Sequence, residues 1–526
     1  MSLYSPDVEF RVRLHGIDIG TISCYSSKSS FRFSDDYYWR VDRPVLGFWF
    51  ENGMRREAGV KGRSVLPLWF SNLLPEGLLR TIVCAQHGLS EEDEPGILSA
   101  LGDDLPGAVT VSRIGDPVRG SADDALRSGD STSFSKDSRI RASIAGNVLK
   151  FSMKSRDQRL TLPGSVEYGD HIVKLPPPNE YDALVHNEFY VMSLAKACCI
   201  EVPDFDLVHR ENVEIAPSDW VTTEEYAFSI ARFDRSDQGR VHMEDFCQAG
   251  NVPGFQRSKY QSSVEYVMKV AYRNYDLPSL VECVRRTVFN MLCGNYDAHL
   301  KNWSLVYPDR RNGVLSPAYD LVCTAVYFDR PQDMALKLSG KEISADICLD
   351  DFRRIADMCR VERGVIEEAV RSMIAAYGEA LDKVEVPARL TSINVRGRDI
   401  DLRPWLRERY QRLSVSLLSW RGWRGVLGNR ARLVRGVGDE AGAGCRLEEL
   451  ECAYSVDDKL DADNEDQEAH DTHDRADASR SQPVDPGCRV AQKQCDGGGR
   501  DQDAQDDADV KTDGGVAGGQ RNNDTD

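Results

Sequence analysis

Between Phe10 and Ser26 the chain reads FRVRLHGIDIGTISCYS, with apolar residues at alternate positions and an interruption at Gly16 and Asp18. A period of two with a turn signal in its middle predicts two strands joined by a tight turn. The period then lengthens. In VLPLWFSNLLPEGLLRTIVCAQHGL, Leu73, Leu74, Leu78, Leu79 and Ile82 recur at helical spacing and predict a helical stretch with one buried face. Trp49, Phe50 and Trp69 supply the bulk for a core, so residues 1–115 are expected to form a small α+β subdomain.

From Asp116 to Ser138, Ser, Asp and Gly crowd out the apolar residues, which marks a surface linker at 116–138. Alternation returns in IRASIAGNVLKFSMKS and GDHIVKLPPP, both read as strands. NEFYVMSLAKACCI reads as a helix with Phe189, Met192 and Ala195 turned inward, and YAFSIARFDRS as a further strand. From about Ser279 the period is helical, through LVECVRRTVFNMLCGN, DDFRRIADMCR, VIEEAVRSMIAAYGEAL and RPWLRERYQRLSVSLLSW. Strands first and helices afterwards predict an α+β body of two lobes, 139–278 rich in β-structure and 279–420 helical.

Charge alters the picture only at the end of the chain. The 526 residues carry 66 Lys and Arg against 85 Asp and Glu, but Asp439 to Asp526 alone hold 25 acidic and 9 basic residues. The body is thus nearly neutral, which argues against a fold built mainly as a basic nucleic-acid surface. Residues 437–526 have one aromatic residue, Tyr454, and too little apolar area to offset the entropy of ordering, so a disordered acidic tail is expected. Before it, WRGWRGVLGNRARLVRG offers arginines to a phosphate or to the tail itself, or is a frayed helix end. No apolar run reaches the length of a membrane span, and MSLYSPDVEF lacks the basic and apolar regions of a signal peptide, so no membrane partner is expected. The 14 cysteines are scattered without a C-x-x-C pair, as expected of free thiols in a reducing cytoplasm.

The densest chemistry lies in CGNYDAHLKNWSLVYPDRRNGVLSPAYDL. Asp297 is followed five positions later by Asn302, and Asp320 comes after a turn-rich stretch. Phosphoryl transfer needs a carboxylate to take the proton of the attacking hydroxyl and oxygen ligands for magnesium, and these three residues make that set at protein-kinase spacing. Upstream, Lys174 sits in the strand HIVKLP as the phosphate-contacting lysine of kinases does, and Glu188 on the next helix is either its ion-pair partner or a solvated acid. SIAGNVLK, Ser143 to Lys150, has one glycine between strand-like runs. It reads as a hairpin turn or as a loop whose backbone approaches phosphate, and it is no Walker A motif.

Together LWFSNLLPEG, GDDLPGAV, SIAGNVLKFSM, HIVKLP, HNEFYVMSLAKACCIEVP, ARFDR, GNYDAHLKNWSL and SPAYDLV resemble, in order, the HipA family of bacterial serine/threonine kinases, the toxins of type II HipBA toxin–antitoxin modules. The resemblance runs from about residue 5 to about 415. It implies a two-lobed protein-kinase-like body with an N-terminal α+β subdomain, a cytoplasmic bacterial location, ATP and Mg2+ as cofactors, and a HipB-like helix-turn-helix antitoxin through which DNA is reached. It further implies Asp297 as catalytic base and Asn302 and Asp320 as metal ligands. Lys174 would hold ATP phosphates, and Ala145, Gly146, Asn147, Val148, Leu149 and Lys150 would form the phosphate loop. Ala231, Arg232 and Phe233 would line the adenine side, His299 and Tyr319 would flank the metal, and Ser143 would be the autophosphorylated, inhibitory serine.

Two positions depart from the family pattern. The phosphate loop commonly reads S-x-x-G-x-Q-x-K, and here Val148 stands at the Gln position; Ala231 stands where an acid usually precedes RFDR. Three functions are compatible with the residues: a protein serine/threonine kinase toxin acting on a translation factor or an aminoacyl-tRNA synthetase, a catalytically weak co-repressor that binds a DNA-binding partner, and a small-molecule phosphotransferase. The intact Asp297, Asn302 and Asp320 favour an enzyme, and the N-terminal subdomain favours the toxin.

Overall fold

The computed structural model describes residues 6–115, 149–156, 159–161, 168–177, 181–215, 220, 222–255, 257–328 and 333–419. The expected linker, Ser143, Ala145, Gly146, Asn147, Val148 and the acidic tail lie outside the described residues.

The opening alternation forms β1 (Val8–Leu14) and β2 (Ile17–Tyr25), joined through His15 and Gly16, both at positive φ, as a tight hairpin of matching twist requires. With β3 (Lys28–Phe33), β4 (Glu57–Lys61) and β5 (Val109–Arg113) they build an antiparallel sheet in the order β4-β3-β2-β1-β5. Its inward positions, Phe10, Val12, Leu14, Phe31 and Phe33, are buried. The single helical stretch expected from Val65 to Leu89 is instead two helices, Leu68–Ser71 and Gly77–His87. Pro75 between them has no N–H to donate and pushes Leu74 away from helical geometry. The break turns Leu78 outward, to 49% exposure, while Leu73, Leu74 and Leu79 stay buried.

The second sheet is also antiparallel, in the order β7-β6-β8-β10-β9, from β6 (Lys150–Arg156), β7 (Arg159–Thr161), β8 (His171–Lys174), β9 (Phe205–His209) and β10 (Tyr226–Ala231). Alternation divides its residues between two cores. Phe151, Met153, Val173 and Ala227 join the core of the N-terminal subdomain, whereas Phe228 and Ile230 join the core that contains the helices. The helix expected from Asn187 begins at Leu184 and runs to Ala197.

The strand-rich part ends well before residue 278. His242–Asp245 pairs with Ser304–Tyr307 in a separate small sheet, and Val264–Ala271 is already a helix packed in the helical core. A change of period marks where elements form, not which partner a strand will find. The helical lobe centres on Leu277–Cys293, buried along most of its length and surrounded by Leu349–Cys359, Arg363–Lys383 and Leu402–Leu418. No helix among the described residues is long and apolar enough to cross a membrane.

Candidate active site

Register brings the first two site residues together. Lys150 on β6 and Lys174 on β8 are direct cross-strand partners, and Lys174 also faces Phe228 on β10, its ammonium 5.6 Å from that ring's centroid. Two buried ammonium groups side by side repel each other and require carboxylates. Lys174 is bonded to both Glu188 and Asp320, and Lys150 lies 3.4 Å from Asp320. The Lys174 and Glu188 side chains are each only 7% exposed. Their titration follows from the grouping. The two carboxylates hold Lys174 above its ordinary range against the cost of burial, the two lysines hold Asp320 below the usual carboxylate range, and burial raises Glu188. Lys150 is lowered by burial.

Glu188 reaches this point because its helix is locked to the segment after Asp320. The Asn187 amide donates to the Cys323 carbonyl and accepts from the Cys323 N–H, each at 3.0 Å. Asp320 itself has φ 54°, a left-handed conformation uncommon for an aspartate outside functional turns.

The loop beneath the lysines follows the helix Leu277–Cys293, which ends at Gly294 with φ 74°, the conformation that stops a helix and turns the chain back. Asn295 then ties the loop together. Its amide donates to Asn290 Oδ1 at 3.0 Å and to the Asp320 carbonyl at 3.2 Å, while its oxygen accepts from the Asp297 N–H at 3.2 Å. Asn302 donates to the Asp297 carbonyl at 2.7 Å, which leaves its amide oxygen without a hydrogen-bond partner among the described residues. The Asp297 carboxylate is exposed at the loop surface, accepts from Tyr260 at 2.6 Å, and is raised above its ordinary range by the mass of protein around it. His299 is buried, its ring edge-on to Tyr260, and its Nδ1 has no hydrogen-bond partner among the described residues. Burial holds the imidazole neutral. Tyr319 shares a 2.6 Å hydrogen bond with Ser304, donates to the Lys301 carbonyl at 2.9 Å, and sets its ring 5.6 Å from that of Phe233.

The residues expected on the adenine side divide. Phe233 reaches Tyr319, whereas the Arg232 side chain is engaged by buried acids. Its guanidinium grips both oxygens of Asp234, at 2.9 and 2.8 Å, and reaches Ser152 and Asp104. Two buried carboxylates capture it. The N–H groups of Ala231 and Arg232 are engaged as well, by the carbonyls of Asp204 and Asp170. Leu149 lies at the start of β6, where its carbonyl accepts from Leu175 at 3.0 Å.

Sequence reasoning missed Tyr260, Asn295, Glu76 and Lys301. Lys301 stands inside the motif between Asp297 and Asn302, yet it points to the N-terminal subdomain, 3.3 Å from Glu76 and 2.8 Å from the Asn72 carbonyl. Glu76 belongs to LWFSNLLPEG, a stretch that signalled the family without signalling a role.

A strand lysine paired to a helix acid, above a loop that carries an aspartate and an asparagine and next to a second aspartate, defines a kinase-like site. Comparison with known proteins agrees. The family model described as the HipA-like C-terminal domain matches residues 142–381, and the HipA N-terminal domain matches residues 10–112. The Sinorhizobium fredii protein named "Putative kinase Y4dM" is 34% identical over 374 residues, covering 70% of this chain and 89% of its own. The serine/threonine-protein kinase toxin HipA of Shewanella oneidensis is 27% identical over 311 residues, 52% of this chain and 67% of its own. Among solved structures, the Shewanella oneidensis complex of HipA, HipB and operator DNA aligns with a TM-score of 0.57 at 20% identity, over 77% of this chain and 96% of that one, and shares the fold. The chain belongs to the HipA family of kinase-like proteins and is related to the HipA toxin.

Proposed function

We propose that the protein is an ATP-dependent protein serine/threonine kinase acting as the toxin of a toxin–antitoxin module in the bacterial cytoplasm. The observation that carries the reading is the grouping of Lys150, Lys174 and Glu188 around Asp320 beside a loop presenting Asp297 and Asn302. In this reading Asp297 accepts the proton of the acceptor hydroxyl as it attacks the γ-phosphorus of ATP, and Lys150 and Lys174 offer ammonium donors to phosphate oxygens. Asp320 and the amide oxygen of Asn302 are hard oxygen donors, the type magnesium prefers, and two protein ligands beside substrate phosphates are its usual arrangement. When bound there, magnesium supplies charge neutralisation between the phosphates. His299 Nδ1, without a hydrogen-bond partner among the described residues, is a buried acceptor or donor of the kind a ligand satisfies.

Incubating the purified full chain with magnesium and γ-labelled ATP tests the reading. Label on protein serine or threonine, lost on removing magnesium and lost in Asp297→Asn and Asp320→Ala at near-normal melting temperature, is the expected result. Near-normal turnover in either variant refutes it, and label found only on small molecules favours a phosphotransferase. Ser143 is proposed as the inhibitory autophosphorylation site, to be mapped in the same experiment. The proposed partner is a helix-turn-helix antitoxin like the HipB in the related complex, reaching DNA for both. The proposed substrates are translation proteins, an aminoacyl-tRNA synthetase or a translation factor.

A further inference from the structure

The short turn Ser258–Tyr260 has no part in the chemistry above, yet it touches the most important residue in it. The Tyr260 hydroxyl donates to Asp297 Oδ1 at 2.6 Å, with the ring edge-on to His299 at a centroid distance of 5.0 Å. The neighbouring Lys259 is ion-paired at 3.0 Å with Glu76 of the N-terminal subdomain. The other oxygen of Glu76 lies 3.3 Å from Lys301, the residue before Asn302, and Lys301 is also held by Asp245 at 3.3 Å and by the Asn72 carbonyl. One glutamate therefore fixes, through one lysine each, the turn that carries the tyrosine and the loop that carries the aspartate.

An aspartate carboxylate rotates easily about its last torsion, and at a surface position few contacts restrain it. A base must be held within about half an ångström of its working position to be effective. We propose that Tyr260 is the positioning residue for the base, set in place by Glu76 through Lys259: the phenol engages one oxygen of Asp297 and presents the other to the acceptor hydroxyl. This rests on the reading of Asp297 as the base. A tyrosine suits the task, because its rigid ring has two torsions and the packing against His299 restrains it.

Steady-state kinetics on the full-length protein test the inference. Tyr260→Phe keeps the ring contact and deletes only the hydroxyl. It should lower kcat about tenfold, the effect of losing one hydrogen bond to a charged group. The KM for ATP should not change, since Lys150, Lys174 and Asp320 are untouched, and the melting temperature should stay within measurement error. Glu76→Gln should lower kcat in the same direction. Whatever trace of turnover a long incubation detects in Asp297→Asn should not fall further on adding Tyr260→Phe, since a residue acting through the base has nothing left to act on. Wild-type or faster turnover in Tyr260→Phe, or label found on Tyr260 itself, overturns the proposal, because the phenol then occupies the acceptor's place. An additive loss in the Asp297→Asn background overturns it as well. If Asp297→Asn remains active, the reading of the base has failed; if that variant is dead while Tyr260→Phe matches wild type, only the positioning role has failed.

Discussion

Lys174→Met removes the ammonium between Glu188 and Asp320, and its cost can be worked from the structure. Asp320 keeps Lys150 at 3.4 Å and is one-quarter exposed, so Glu188, its side chain 7% exposed, is the group that loses its directly bonded cation and keeps only the longer-range field of Lys150. Breaking one side of a buried pair costs about 3–5 kcal/mol. Protonation sets a ceiling. At pH 7 a carboxyl with an ordinary value of 4.5 can instead take a proton for about 1.4 kcal/mol per pH unit, or roughly 3 to 4 kcal/mol. The loss should therefore approach that ceiling at pH 7 and shrink by about 1.4 kcal/mol for each unit of acidification towards 4.5. The sign follows because the folded variant holds the Glu188 proton more tightly than the unfolded chain, so stability falls as pH rises. Urea denaturation of wild type, Lys174→Met and Lys174→Met/Glu188→Leu at pH 5, 6 and 7 measures it. The double variant should regain most of the loss, since an apolar pair replaces a buried ion pair at little cost, while ATP binding stays lost. A single variant within about 1 kcal/mol of wild type at pH 7, or a penalty independent of pH, refutes the reasoning.

Two further pH effects follow from buried acids. Burial raises Glu244 to about 7, although it accepts from Tyr307, Phe48 and Trp69, so the stability it contributes is complete below about 4.5 and is lost as pH rises through 7; Glu244→Gln should flatten this part of the stability profile, read by denaturation between pH 5 and 8. Asp234 is held below its ordinary 3.8 by Arg232 and Arg235 despite its burial, so its contribution is present above 3.8 and lost as pH falls further; Asp234→Asn should remove that acid-side slope and lower stability at neutral pH, read by the same method.

Half of the strands of the two sheets were legible because alternation is a local property, whereas β3, β4, β5, β7 and β9 gave no run that set them apart. β1, β2, β6, β8 and β10 all lie where period-two runs placed them, and the helices after Ser279 lie where the period lengthened. Pro75 was equally visible, but the leucines on either side of it obscured the break. The core of the site was legible for a different reason: Lys174, Glu188, Asp297, Asn302 and Asp320 follow one another in the order and spacing of kinase site residues. The structure brings Lys174, Glu188 and Asp320 into contact, and Asn302 onto the Asp297 backbone. What stayed hidden depends on long-range contact. Arg232 is captured by Asp104, 128 positions away, and Lys301 by Glu76. No local pattern distinguishes these pairings from solvated charges.

The division of the second sheet between two cores has a consequence for how the chain could be cut. Phe151, Met153, Val173 and Ala227 share one apolar cluster with Phe10, Trp69 and Val109, so the first 115 residues form one wall of the other lobe's sheet. Packing joins these pieces directly, because one apolar cluster runs from the first subdomain into the second sheet. Covalent continuity there should be dispensable: residues 1–115 and 149–526, co-produced as separate chains, should find each other and reconstitute one folded particle. The second piece made alone would expose a bare apolar sheet face and should precipitate.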